Sequence, residues 1–230
     1  MDEWKVDLAV TGSQKALSIP TGLGLVCASE KALSHCKDAK LKRVYFDFAD
    51  MIRTNKDGAV PYTPSLPLLY GMEASTKLLR AEGMEEVWSR HARLGAGARA
   101  AVQAWGLDTL CKVDRWKSNA LTVVEVPEGV DSDVVIKSAF SKYNLSLGLG
   151  LAKVAGKVFR IGHLGNMDEV MLLGALAGTE MALLDAGVKL QPGSGVGAAV
   201  THFHATSKVI PTREDDSIPV LWPASRKRRN

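Results

Sequence analysis

Apolar residues first gather in two short runs, Val6 to Val10 and Leu25 to Ala28, on either side of a glycine-flanked connection from Thr11 to Gly24. Runs of this length bounded by turn residues predict two short buried strands, adjacent in a sheet. Ser29-Glu30 can cap a short helix through Lys31 to Cys36, and the polar stretch Asp50 to Val60, with its Asp57-Gly58 turn signal, predicts a loop. From Leu66 the period becomes helical: Leu68, Leu69, Met72, Ser75, Leu78 and Leu79 fall near one face, Lys77 and Arg80 on the other. Gly83 interrupts this pattern, and Val87, His91, Leu94, Ala98 and Val102 resume it to about Ala104. A hinge-linked helix pair joining two larger units is the expectation. Beyond Gly106, strands at Leu107 to Val113, Leu121 to Val126 and Val158 to Ile161, with helices at Ser132 to Tyr143 and Asp168 to Ala186, predict a compact α+β unit. Gly193-Ser194-Gly195-Val196-Gly197 lacks the preceding strand, the following lysine and the glycine spacing of a nucleotide loop, so it reads as a flexible loop. The predicted division is 1–65 as part of a larger α/β domain, 66–105 as linking helices, 106–190 as a small α+β domain and 191–230 as a flexible tail.

Composition narrows the function classes. At 230 residues and 46% apolar content the chain can build a sizeable core. Its net charge of +4 comes largely from Arg226-Lys227-Arg228-Arg229, so the body is near neutral and gives no case for nucleic acid or an anionic membrane as partner. Cys27, Cys36 and Cys111 are widely spaced without a CxxC pair, which argues against a disulfide framework or zinc site and for a reducing compartment. His202 and His204 form an HxH pair without further ligands at a metal spacing, and read as surface residues. The most apolar stretch, Val170 to Leu184, carries Glu180 and falls short of the ~20 residues that span a bilayer. The start, Met1-Asp2-Glu3-Trp4, lacks the regions of a signal peptide.

The connection between the first two runs carries the candidate chemistry. Gly12, Gly22 and Gly24 allow close backbone approach and positive φ, and Pro20 stiffens the exit, so Lys15 is expected to be held in place and partly desolvated. A lysine in that situation offers a neutral amine that attacks carbonyls, a chemistry that suits pyridoxal phosphate.

These residues resemble a known family. Gly12-Ser13-Gln14-Lys15-Ala16-Leu17, followed by Pro20 and Gly22, is similar to the cofactor-lysine segment of class V aminotransferases of the serine-glyoxylate and alanine-glyoxylate branch. Pro61-Tyr62-Thr63-Pro64-Ser65, Arg90-His91-Ala92-Arg93-Leu94-Gly95, Tyr143-Asn144-Leu145-Ser146-Leu147-Gly148 and the stretch from Lys157 to Asn166 follow in the family's order, and the match runs from Met1 to about Pro211. The resemblance implies an α/β chain of the type I pyridoxal-phosphate transferase fold, here the C-terminal part of the large domain plus the small α+β domain. It implies pyridoxal 5'-phosphate held on Lys15, whose amine also moves a proton at the substrate α-carbon. It implies that Gln14 faces the cofactor phosphate, that Thr63 reaches the cofactor phosphate of the neighbouring subunit in a homodimer, and that Arg160 clamps the substrate carboxylate with two hydrogen bonds, as a planar guanidinium can. The implied substrates are small amino and keto acids: serine or alanine as donor, glyoxylate as acceptor.

In the family, the acidic partner of the pyridine nitrogen, the aromatic ring stack and the main phosphate cradle lie ahead of the position equivalent to Met1, so the chain resembles the C-terminal portion of the enzyme. An inactive truncated paralogue that pairs with full-length subunits is the alternative expectation. Plant members are peroxisomal and end in a Ser-Arg-Ile type signal; this chain ends Ser225-Arg226-Lys227-Arg228-Arg229-Asn230, which leaves a cytoplasmic location as the expectation from its own end. His91 and Arg93 read as helix-packing and interdomain contacts, and His163 as a core or hinge histidine.

Overall fold

Strands β1 (Leu8–Gly12) and β2 (Gly24–Ala28) pair antiparallel, with Leu8 opposite Ala28 and Gly12 opposite Gly24. They belong to a computed structural model that describes residues 1–207; the remainder of the predicted tail, with the basic run and the terminal-signal reading, lies outside the described residues. The expectation of buried strands is corrected: Val10 is 76% exposed, Leu8 51% and Val26 46%. Among the described residues the sheet has only these two strands, and a two-stranded ribbon by itself cannot bury both sets of side chains.

Helix α1 (Glu30–Ser34) starts where Ser29 accepts a hydrogen bond from the Ala32 amide, and a 3-10 turn, His35–Asp38, follows it. The loop expected over Asp50 to Val60 is instead helical in its first part, as α2 (Phe48–Asn55). Asp47 accounts for the difference: its carboxylate accepts from the Ala49 amide and caps the helix. Helices α3 (Leu66–Glu82) and α4 (Met84–Ala104) form the predicted pair, broken at Gly83, whose φ of 86° is open to glycine at little cost. The buried face of α4 includes Val87, His91, Leu94, Ala98 and Val102, the positions its periodicity picked out.

The second half is a three-stranded antiparallel sheet in the order β3 (Leu121–Glu125), β5 (Val158–Gly162), β4 (Gly148–Leu149). Helices α5 (Ser132–Tyr143), α6 (Glu169–Asp185) and α7 (Ser194–Ala205) complete it. One sheet face, bearing Val124, Phe159 and Ile161, joins Leu94, Leu172, Leu176, Leu183 and Phe203 in the core. The strand expected at Leu107 to Val113 reduces to a bridge between Thr109 and Val124, because the chain turns away into a 3-10 turn at Asp114–Trp116.

Helix α7 corrects the reading of the Gly193–Gly197 run as a flexible loop and of the tail as flexible from 191 onward. Its start is held by the buried carboxylate of Glu180 on α6, which accepts from the amides of Gly193 and Gly195 (the latter at 2.9 Å) and from Trp105 Nε1 at 2.7 Å. An anion at a helix N-terminus satisfies otherwise unpaired amides and opposes the helix dipole favourably. Burial would push the Glu180 carboxyl up, but these donors outweigh it and hold it below its ordinary range. The glycines serve packing: a Cβ on Gly195 would overlap the Trp105 indole, and one on Gly97 of α4 would overlap the Phe203 ring. His202, read as a surface residue, is half-buried with Nε2 at 3.1 Å from the Arg93 carbonyl, while His204 is exposed. No described helix is long and apolar enough to cross a membrane.

Candidate functional site

The β1–β2 connection is built around Ser13, which is fully buried. Its amide donates to the Leu23 carbonyl (3.0 Å) and its carbonyl accepts from Ile19 (3.3 Å). Its hydroxyl donates to the Pro20 carbonyl (2.7 Å) and accepts from the Leu23 amide (3.2 Å). Every polar group of Ser13 is therefore committed to closing the turn, two residues before Lys15. The Lys15 carbonyl accepts from the Ser18 amide at 2.9 Å, so the lysine backbone is held as expected. Its side chain is not desolvated: Lys15 is exposed, and its amine is accessible to a reactant.

Gln14 is also exposed and lies back over Gly12, where a Cβ would come 2.7 Å from Gln14 Oε1. Gly22, at φ 136°, passes so near α3 that a Cβ would come 2.7 Å from a Leu68 methyl. Nearer the lysine, Ser75 of α3 donates its hydroxyl to the Leu17 carbonyl at 2.5 Å. The lysine turn is thus seated on α3 at Leu17 and again at Gly22.

Arg160 occupies the middle strand of the second sheet, opposite Val123 on one side and Gly148 on the other. Strand alternation puts it on the face away from Phe159 and Ile161, where it is half-buried. Its Nε is buried and has no hydrogen-bond partner among the described residues. Gly148 makes room for it, since a Cβ there would lie 2.9 Å from that same nitrogen. A buried donor without an acceptor costs about 1–3 kcal/mol, a penalty that an arriving carboxylate would relieve.

β5 leads straight into the loop 163–167, which returns to the lysine turn. His163 is fully buried; Nδ1 donates to the Asn119 carbonyl at 2.9 Å and Nε2 accepts from the Thr122 hydroxyl at 2.9 Å. Burial pushes its pKa from 6.5 down to about 4, so the ring is neutral near pH 7. Gly165, at φ 101°, comes so near Ser18 that a Cβ would lie 2.6 Å from the serine hydroxyl. Between the lysine turn, α3, α4 and this loop is a cavity of about 570 Å3, walled mainly by Leu17, Ile19, Leu78, Val87, Trp88 and Leu164.

The structure therefore links the elements carrying Lys15 and Arg160 through the loop 163–167, although neither side chain lines the cavity between them. Thr63 stands apart, exposed in the proline-flanked segment before α3. Sequence reasoning passed over Ser13, Gly148 and Arg90 as individual residues, though each lies inside a stretch whose family likeness is visible. Arg93, read as a helix-packing and interdomain contact, ties α4 to Glu169 of α6, to the Phe203 carbonyl in α7 and to Thr206 just beyond it.

Known proteins match this arrangement. The family described as aminotransferase class V matches residues 1–151. A serine–glyoxylate aminotransferase of Arabidopsis thaliana is 54% identical over 93% of this chain and 53% of its own length. An L-aspartate–glyoxylate aminotransferase of Paracoccus denitrificans is 44% identical over 90% of this chain and 52% of its own. Among solved structures, the pyridoxamine–pyruvate aminotransferase of Mesorhizobium loti superposes with a TM-score of 0.83 at 32% identity, covering 89% of this chain and 53% of that one. The chain spans about half the length of the relatives it matches.

Proposed function

The chain belongs to the class V aminotransferase family, a family of transaminases that use pyridoxal phosphate, and from that premise we propose that it contributes the catalytic lysine and the carboxylate-binding arginine of a glyoxylate aminotransferase whose amino donor is serine. The observation that carries this reading is the buried, unpartnered Nε of Arg160, on the strand whose exit loop seats against the lysine turn. Alanine is the second donor the reading admits.

An accessible lysine amine on a backbone locked by Ser13 fits the cofactor, and a guanidinium with a spare donor fits the carboxylate of its substrate. Pyridoxal phosphate supplies, when bound, an electron sink for the bonding pair left on the substrate α-carbon. Lys15 would hold the cofactor through its amine and, with that amine free, would take the proton from the substrate α-carbon as a general base and pass it on as a general acid. Arg160 would orient the substrate by a bidentate grip on its carboxylate. Gln14 would serve the cofactor phosphate, and in a homodimer Thr63 would serve the phosphate held by the partner subunit.

The test is made on the longer polypeptide of the family's length. Borohydride reduction followed by peptide mapping is expected to place the cofactor on Lys15, and Lys15→Ala to abolish serine-dependent conversion of glyoxylate to glycine. A label on another lysine would refute the assignment. The exposed apolar side chains of the β1–β2 ribbon favour a second reading, an inactive chain that pairs with full-length subunits. Co-purification of the two without any gain in activity would favour it over the first.

A further inference from the structure

Arg90 and His91, adjacent on α4, hold the same residue of the loop 163–167, Gly165, by the two peptide groups that flank it. The Gly165 amide donates to His91 Nε2 at 3.0 Å, and the Gly165 carbonyl accepts from Arg90 Nη1 at 2.8 Å. The same Nη1 also donates to the Met167 carbonyl at 3.0 Å. Neither side chain is free to wander. Glu82, the last residue of α3, takes Arg90 Nε at 2.6 Å and Nη2 at 2.8 Å in a two-point pair, so the guanidinium fork is oriented before it meets the loop. His91 Nδ1 donates to the Val87 carbonyl at 2.6 Å, which leaves Nε2 as the acceptor and assigns the neutral Nδ1–H tautomer.

The residue so held is also the one that meets the lysine turn. Gly165 lies against Ser18, itself at φ 53°, and Leu17 beside it is bonded to Ser75 on α3. The α3–α4 elbow thus holds the lysine turn through Ser75 and the exit of the arginine strand through Arg90 and His91. Between these anchors the two segments meet where Gly165 lies against Ser18. We infer that Arg90 and His91 are positioning residues for transamination, fixing the loop 163–167 so that the Arg160 strand and the Lys15 turn keep one mutual register. The inference rests on the roles given above to Lys15 and Arg160. Neither Arg90 nor His91 contacts the reacting atoms in it; they act through Gly165.

The experiment has two arms, so that failure of the functional reading and failure of this inference are separable. In the first, backbone hydrogen exchange is compared in the unaltered chain, in His91→Phe, which lacks an acceptor, and in His91→Gln, whose amide oxygen can replace Nε2. His91→Phe should speed exchange about tenfold at Gly165 and in residues 16–19 while leaving the α6 core as protected as before, and His91→Gln should restore it. In the second arm, His91→Phe in the longer polypeptide should raise KM for serine and glyoxylate about tenfold, with kcat and cofactor absorbance much less affected. If His91→Phe does not fold, Arg90→Lys, which keeps the charge but not the fork, carries the same expectations. Unchanged exchange in residues 16–19, or no rescue by glutamine, overturns the inference. A chain that shows the exchange pattern without transamination sinks the functional reading alone.

Discussion

His163 makes the described chain lose stability in mild acid, by an amount that follows from its surroundings. The ring is fully buried, with its hydrogen bonds set for the neutral form: Nδ1 donates to the Asn119 carbonyl and Nε2 accepts from Thr122. Burial lowers its pKa from 6.5 to about 4; the Asn119 bond opposes the fall, and the nearby charge of Arg99 adds to it. The unfolded chain takes up a proton near pH 6.5 that the folded chain refuses until about pH 4. The stabilisation is therefore complete above the unfolded value, declines as the pH falls through it, and levels off below about 4. At 1.36 kcal/mol per tenfold, this single group should remove about 2 kcal/mol between about pH 7.5 and pH 5. Urea unfolding at several pH values reads the slope directly, and His163→Gln supplies the control: whatever its absolute stability, it should lack that 2 kcal/mol decline while keeping the part due to carboxylates. An equal decline in both proteins, or an imidazole titrating near 6.5 in the folded chain by nitrogen NMR, would refute the reasoning.

Other outcomes follow from the site and its scaffold. Arg160→Lys replaces a bidentate grip by a point charge and should raise KM for both substrates by about tenfold or more, through a loss of about 1–3 kcal/mol, while leaving cofactor absorbance unaltered. Gly148→Ala places a Cβ 2.9 Å from Arg160 Nε and should raise the same constants without removing any functional group; steady-state kinetics that leave KM untouched would sever Gly148 from the site. Glu180→Gln turns an acceptor of three N–H groups into a side chain that presents its own donors to them, and thermal melting should register a loss of roughly 2–3 kcal/mol with α7 fraying first.

Local patterns made much of the chain legible. α3, α4, α5 and α6 declare themselves by period and by punctuation, with Gly83 at φ 86° between the first two and Asp131 and Asn144 at the ends of α5, because a helix's own hydrogen bonds and caps are short-range events. The lysine turn declared itself too, since Gly12, Ser13, Lys15, Pro20 and Gly22 are neighbours in sequence as well as in space. Their likeness to the class V aminotransferases placed the chain in that family, and the family match over residues 1–151 bears that out. The rest depended on contacts between distant segments. Gly193 to Gly197 reads as a flexible loop at the start of a tail, yet residues 194–205 form a helix because Glu180, remote in sequence, accepts from its first amides and Trp105 packs where Gly195 has no Cβ. The apolar run at Val10 is strand-forming, but burial needs a second layer that lies elsewhere, and the ribbon stays exposed. Arg160 was visible as an arginine in a strand; only the opposing Gly148 and the register of three strands decided that its Nε would be buried without an acceptor. The link from that strand to the lysine turn runs through Gly165, held by Arg90 and His91, about 75 positions away in the chain, where short-range propensity carries no information.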